Sequence, residues 1–230
     1  MKISIVIPVL NEANALPKIL SIQATNIEII VVDGGSQDET VEIAKSSGVK
    51  VLQSHPGRAA QMNAGAAIST GEILLFLHAD TRLPQGFDRM IREALSTAIM
   101  GAFQLKIDAT FPGVRWVEWG VNLRSRYLQL PYGDQAIFLR TKTFNAIDGF
   151  PNLPIMEDFE FVRTLRQIGR IVIVPHAVLT SGRRWQKLGV FRTTIVNQIV
   201  ILAYLLGVSP QRIQQWYRTG LKSIRYTKRQ

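Results

Sequence analysis

The chain has 230 residues, 47% of them hydrophobic and 19% charged, a balance that fits one sizeable globular domain with or without an appendage and excludes a disordered chain. It has no cysteine, which rules out a disulfide framework, a thiol nucleophile and cysteine-based zinc or iron–sulfur sites. Residues 1–160 carry 14 Lys/Arg and 17 Asp/Glu, whereas residues 161–230 carry 13 Lys/Arg and no acid, so the net +10 points to an anionic partner for the C-terminal third: a membrane surface, a phosphorylated substrate or nucleic acid.

The opening MKISIVIPVLNEA superficially resembles a signal sequence. Pro8 interrupts its apolar run, Asn11 and Glu12 follow, and no small-residue cleavage site is present, so it reads as a first strand. The segments 2–9, 27–33, 49–54 and 72–80 are short, β-branched and apolar on both faces, the pattern of buried strands. Between them, 12–24, 37–47 and 57–69 read as helices, with Ser36 or Asp38 able to cap the second. This alternation is that of a parallel sheet covered on both faces. Residues 1 to about 80 therefore read as half of a doubly wound, mostly parallel α/β fold.

The second half is less regular. A helix is expected at 85–98, an antiparallel edge strand at 101–109, and a helix at 114–130 carrying Trp116, Trp119, Leu123 and Tyr127 at helical spacing. Strands are expected at 133–144 and 171–179. The run 193–208 is apolar nearly all round, yet shorter than the roughly 20 residues of a membrane span, and it contains Asn197 and Gln198. It reads as a packing helix or a membrane-interface helix; the basic tail after Pro210 supports the second modestly. With no linker before residue 182, two parts are expected: a domain over 1–182 and a basic, partly apolar helical extension over 183–230.

In an open α/β sheet a ligand lies outside the carboxyl ends of the strands. Three acids emerge there. The first strand delivers Pro8, then Asn11 and Glu12; the second delivers Asp33, then Gly34 and Gly35; the fourth delivers His78 and Asp80. On an extended chain His78 and Asp80 would point the same way and offer nitrogen and oxygen to Mg²⁺ or Mn²⁺. Plainer readings compete: Asp33 as a helix cap, Glu12 as a solvated acid in a first helical turn, His78 as a satisfied cleft residue. The first turn, PVLNEANAL, lacks the glycines a dinucleotide fold needs for its pyrophosphate. Arg58 and Asn63 could line the cleft from a helix of small residues. His176, after Pro175, could be a second metal or phosphate contact. Arg183, Arg184 and Trp185 could bind diphosphate or acceptor, since arginine matches phosphate geometry.

Taken together, SIVIPVLNEA, IIVVDGGSQDET and RAAQMNAGAAISTGEILLFLHADT resemble the nucleotide-sugar domain of family 2 glycosyltransferases, the GT-A fold, over about residues 2–182. The resemblance implies that Asp33 contacts the nucleobase or ribose and that Glu12 is the acid after the first strand. His78-Ala79-Asp80 stands at the family's D-x-D metal motif, with His in its first position and the metal-touching Asp kept as Asp80. PIMEDFEF resembles the segment whose Asp is the general base of inverting members, which gives Asp158 with Glu157 beside it. GDQAIFLR resembles the stretch lining donor sugar and acceptor, which gives Gly133 and Asp134. SGRRWQ partly matches the Q-x-x-R-W motif of processive members: Arg184 and Trp185 are present, but Ser181 replaces Gln. Together with the lack of several membrane spans, that argues against a polysaccharide synthase. The short chain and the HADT ending resemble a small bacterial subgroup linked to arsenosugar biosynthesis.

The resulting expectation is an inverting transferase that uses Mn²⁺ or Mg²⁺ and moves a sugar from a nucleoside diphosphate donor to an acceptor hydroxyl. The acceptor would be lipid-linked or a small metabolite. The protein would be cytoplasmic, peripheral at the inner face of the membrane through its C-terminal segment, with no nucleic acid partner. The alternative, a non-catalytic basic protein binding an anionic membrane or nucleic acid, leaves the three strand-end acids unexplained. A nucleotidyltransferase would need a Gly-rich, Arg-containing loop after the first strand, which is missing.

Overall fold

The computed structural model describes residues 1–217, apart from the side chains of Arg184, Lys187 and Leu188. The first half alternates as expected: β1 (Ile3–Val9), α1 (Leu16–Leu20), β2 (Ile27–Asp33), α2 (Thr40–Ser46), β3 (Lys50–Gln53), α3 (Arg58–Ala67) and β4 (Ile73–Phe76). The second half adds β5 (Thr81–Arg82), α4 (Phe87–Ala94), β6 (Met100–Asp108), α5 (Val114–Leu128), β7 (Phe138–Arg140) and α6 (Thr141–Ala146). It closes with α7 (Glu157–Ile168), β8 (Ile171–Ser181), α8 (Arg183–Leu188) and α9 (Val190–Leu205). The strands form one sheet in the order β3-β2-β1-β4-β7-β6-β8-β5. β1 runs parallel to β2 and β4, β2 to β3, and β6 to β8, while β7 and β5 pair antiparallel to their neighbours.

The period-2 alternation of a strand decides which core each side chain enters. Ile3, Ile5 and Ile7 of β1 and Ile73 and Leu75 of β4 pack on one face with Leu16, Ala44, Phe87 and Ile91. Val6 of β1 and Leu74 and Phe76 of β4 pack on the other with Met62, Phe144, Phe161 and Leu165. Because both faces are covered, these strands read as continuous apolar runs. Gly65 lets α3 approach β1: a Cβ there would lie 2.4 Å from Val6 Cγ1.

Beyond Met100 and Gly101, β6 loses β7 as a partner, and α5 takes over that edge. Asn122 Nδ2 donates to Leu105 O (3.0 Å), and its Oδ1 accepts from Leu105 N (2.8 Å). Glu118 Oε1 accepts from Ile107 N at 2.6 Å. These side chains satisfy backbone groups that an open sheet edge would leave exposed.

Four expectations fail locally. The strand expected at 101–109 on an antiparallel edge lies inside the sheet, because β6 pairs antiparallel with β7 at Met100 and Gly101 and runs parallel to β8 from Met100 to Asp108. The strand expected at 133–144 is a 3₁₀ turn over Gly133–Gln135, a short strand and then a helix. Buried Gln135 pulls the chain out of the sheet: its amide donates to Phe103 O and its carbonyl accepts from Ser125 Oγ, while Ala136 turns left-handed at φ 50°. The strand expected at 72–80 ends at Phe76, and Thr81 N donates to His78 O to close a turn. The helix expected at 12–24 shrinks to five residues because Asn11 is left-handed (φ 56°) and the loop before α1 is tied to the 36–40 loop. Most of the apolar run at 193–208 lies in α9, which spans Val190–Leu205 and stops before Leu206, and none of the described helices is long and apolar enough to cross a membrane.

Candidate active site

The loops after β1 and β2 are woven together. Asn11 N donates to Ser36 Oγ, Asn11 Oδ1 accepts from Gln37 N, and Glu12 N donates to Thr40 Oγ1. Asp38 accepts from Thr40, and that hydrogen bond holds its carboxyl below the usual range. Gln61 reaches across from α3, and its amide donates to Val9 O and Val32 O, both at 2.8 Å. The sequence signal for Gln61 was faint: one long polar side chain in a helix of small residues. Asp33 is fully buried, and its carboxylate accepts from Gly35 N and Ser36 N. In this state it shapes the 34–36 turn and faces no solvent; it does not cap α2, which begins at Thr40 with Glu39 at its N-cap position. Pro8 lies at the carboxyl end of β1, paired with Val32.

Glu12 and Asp80 meet on one cation. Arg183, at the start of α8, places Nη2 3.0 Å from Glu12 Oε2 and 3.2 Å from Asp80 Oδ2. The Glu12 hydrogen bond and Asp80 push its pKa further up. Asp80 is also fixed through its backbone, since its carbonyl accepts from Ser181 N.

His78 does not join them. The turn at 78–81 breaks the extended geometry that would have aimed it alongside Asp80, and His78 instead enters a small pocket with Arg58, Phe76, Gly133, Glu157 and Asp158. Burial, then the Arg58 charge, pushes its pKa down to about 3, so it is neutral at ordinary pH. Asp158, in the first turn of α7, accepts from Gly133 N at 2.9 Å (Oδ2) and from Phe159 N at 2.8 Å (Oδ1). A Cβ on Gly133 would sit 3.2 Å from His78 Nε2 and 3.4 Å from Asp158 Oδ2; the glycine keeps that approach open. Asp134 is pushed up by burial, and its buried Oδ1 has no partner among the described residues. Burial, then the Asp158 charge, pushes Glu157 up to about 7.

That shift has a sign. Folded Glu157 holds its proton up to about pH 7, against 4.5 ordinarily, so it costs stability as pH rises from 4.5 through 7 and the whole penalty is present above 7. Glu157→Gln should therefore raise Tm at pH 8 by up to roughly 6–12 °C, or about 3 kcal/mol, with the gain vanishing near pH 4.5. Thermal melts across that range check it; a gain that is the same at every pH would contradict it.

Other expected residues fall elsewhere. Asn63 is occupied by structure: its Nδ2 donates to Phe150 O and its Oδ1 accepts from Phe150 N, which pins the loop before α7. His176 is exposed on the irregularity where β8 shifts register against β6. It lies five residues before Ser181, roughly 17 Å of extended strand from the end that meets Asp80. Trp185 packs against the core, and its buried Nε1 has no partner among the described residues. The side chain of Arg184 lies outside the described residues.

The sequence profile described as glycosyl transferase family 2 matches residues 4–150. The chain belongs to that family. Among curated relatives, the 4,4'-diaponeurosporenoate glycosyltransferase of Staphylococcus haemolyticus is 37% identical over 92 residues, but the match covers 35% of this chain and 24% of that protein. The PGL/p-HBAD biosynthesis glycosyltransferase of Mycobacterium bovis is 29% identical over 211 residues, 85% of this chain and 80% of the relative. Among solved structures, glucosyl-3-phosphoglycerate synthase from Mycobacterium tuberculosis, in complex with Mn²⁺, uridine diphosphate and phosphoglyceric acid, superposes with a TM-score of 0.60. It is 19% identical and the match covers 90% of this chain and 79% of that one. The fold of this family member is the GT-A fold.

The residues fit a loosely held divalent cation. Two carboxylate oxygens, from Glu12 and Asp80, already converge on a positive group. Among the described residues no cluster of three His, Cys, Asp or Glu could enclose a metal. A hard cation bound through one or two carboxylates, with substrate phosphates completing its shell, matches that donor set.

Proposed function

We propose that this chain transfers a sugar from a nucleoside diphosphate donor to an acceptor hydroxyl, with inversion and with the help of Mn²⁺ or Mg²⁺. The observation that carries the reading is the division of the acids into two groups. Glu12 and Asp80 converge on a cation at the strand ends, while Asp158 is held by Gly133 N beside the pocket. A divalent cation bound at Asp80 would neutralise charge on the departing diphosphate. Asp158 takes the proton from the acceptor hydroxyl, and its two backbone donors fix the carboxylate's direction. Neutral His78 and protonated Glu157 beside it add no competing negative charge at pH below about 7. With a divalent cation held by Glu12 and Asp80, Arg183 would be released from them and could pair with the diphosphate, whose geometry suits guanidinium. Asp134, with its unpaired buried oxygen, accepts a hydroxyl of the donor sugar.

The solved relative that binds uridine diphosphate with Mn²⁺ supports a uridine donor as the first to test. The curated relatives, named for PGL/p-HBAD biosynthesis and for 4,4'-diaponeurosporenoate, support a lipid-linked or small-molecule acceptor. The HADT ending adds an arsenic-bearing metabolite to the acceptors worth trying. The absence of cysteine fits the reducing cytoplasm.

Proton NMR of the full chain with α-linked UDP-, GDP-, TDP- and CDP-sugars tests this without a known acceptor. The expected result is slow, Mn²⁺-dependent release of one nucleotide, with the β-anomer of the free sugar appearing first. Initial release of the α-anomer would overturn inversion, and no release from any donor would overturn the donor reading.

A further inference from the structure

We propose that α5 and α9 form a docking face for an anionic lipid bilayer. On α5, Trp116 (76% exposed), Trp119, Leu123 and Tyr127 (71% exposed) are all surface residues. Their spacing of three, four and four places them in one stripe. The helix cannot turn that stripe inward, because Asn122 and Glu118 on its opposite side are bonded to the backbone of β6. On α9, Phe191 (82% exposed), Ile195, Ile199 and Leu202, with Leu206 just past its end, repeat the pattern, while Thr193 and Tyr204 face the protein: Thr193 is buried and Tyr204 meets Phe159 edge to face. The two helices pack side by side, and Val190 lies 3.4 Å from where a Cβ on Gly113 would be. Two adjacent stripes of exposed aromatic and aliphatic side chains mark an interaction surface.

Charge selects the partner. Exposed Arg126 on α5 and Arg192 on α9 flank the stripes, while Arg115 is paired with Glu118, and nothing after Glu160 is acidic. A second copy would bring like charge against like charge, whereas an anionic bilayer attracts this face. Exposed Trp and Tyr suit the interfacial layer of a membrane. At 16 residues, with polar Asn197 and Gln198, α9 lies in the interface and does not cross it. The inward side of α9, opposite the stripe, reaches Phe159, the residue after Asp158, through Tyr204. Docking of the outward face does not depend on glycosyl transfer.

Vesicle flotation of the full chain tests it, comparing zwitterionic phosphatidylcholine vesicles with vesicles containing phosphatidylglycerol. Wild type should float with the anionic vesicles at low salt and less at high salt, and brominated lipid should quench its tryptophans. Trp116→Ser with Trp119→Ser, and separately Phe191→Ser with Leu202→Ser, should each lower the bound fraction at least about fivefold, as lost interfacial burial requires. Circular dichroism and Tm should barely change, because these side chains are exposed. No binding to anionic vesicles, or binding that both double variants leave intact, would overturn the proposal. So would a dimer in solution that the same variants dissociate.

Discussion

Asp158→Asn should lower sugar transfer by about 10²–10⁴ while nucleotide affinity stays within about twofold, the loss typical of a missing general base. The replacement is nearly isosteric. Its amide oxygen can still accept from Gly133 N, as Asp158 Oδ2 does at 2.9 Å, so the turn that holds the donor side of the pocket should persist. The amide cannot accept the acceptor's proton. Turnover and binding therefore separate: initial rates of nucleotide release fall, and the titration midpoint for the diphosphate does not move. A near-wild-type rate would remove Asp158 from the chemistry. A parallel loss of binding and rate would make it structural, a support for Gly133 and the start of α7.

Asp80→Ala should weaken Mn²⁺ binding, and the metal-dependent part of nucleotide binding, by at least about 10–100-fold, the range that even outer-shell ligands command. Asp80 and Glu12 are the two acids brought onto one cation by Arg183. With Asp80 gone, Glu12 remains paired to Arg183 and too few oxygens are left to draw a cation in. The electron paramagnetic resonance signal of free Mn²⁺ reads the affinity directly, without any turnover. Retained metal-dependent affinity would move the cation site elsewhere.

The central strands were legible because both their faces are buried: nothing competes with apolar periodicity in β1, β2 and β4, and the two core layers follow from alternation alone. Legibility failed where one polar side chain redirects the backbone. Gln135 bonds to Phe103 O and takes the chain out of the sheet, so an apparently continuous strand became turn, strand and helix. The same kind of failure separated His78 from Asp80: periodicity assumed an extended chain, and the turn closed by Thr81 N sent the imidazole toward Asp158 and the carboxylate toward Arg183. Asn63 looked like a cleft residue because its type suits ligands, yet its amide matches a backbone N–H and C=O pair at Phe150 equally well. The convergence of Glu12, Asp80 and Arg183 spans 171 positions of sequence, and no local pattern announces a contact at that distance.

The most direct measurement is a thermal-shift screen of the wild-type chain with UDP, GDP, TDP and CDP, each with and without Mn²⁺. A ligand at 100 times its Kd stabilises by about 2.7 kcal/mol, roughly 5–11 °C for a domain of this size. One nucleotide should give a shift of that order only when Mn²⁺ is present. No shift with any nucleotide in a well-folded sample, or an equal shift without the metal, would contradict a cation-assisted nucleotide-sugar site at Glu12 and Asp80.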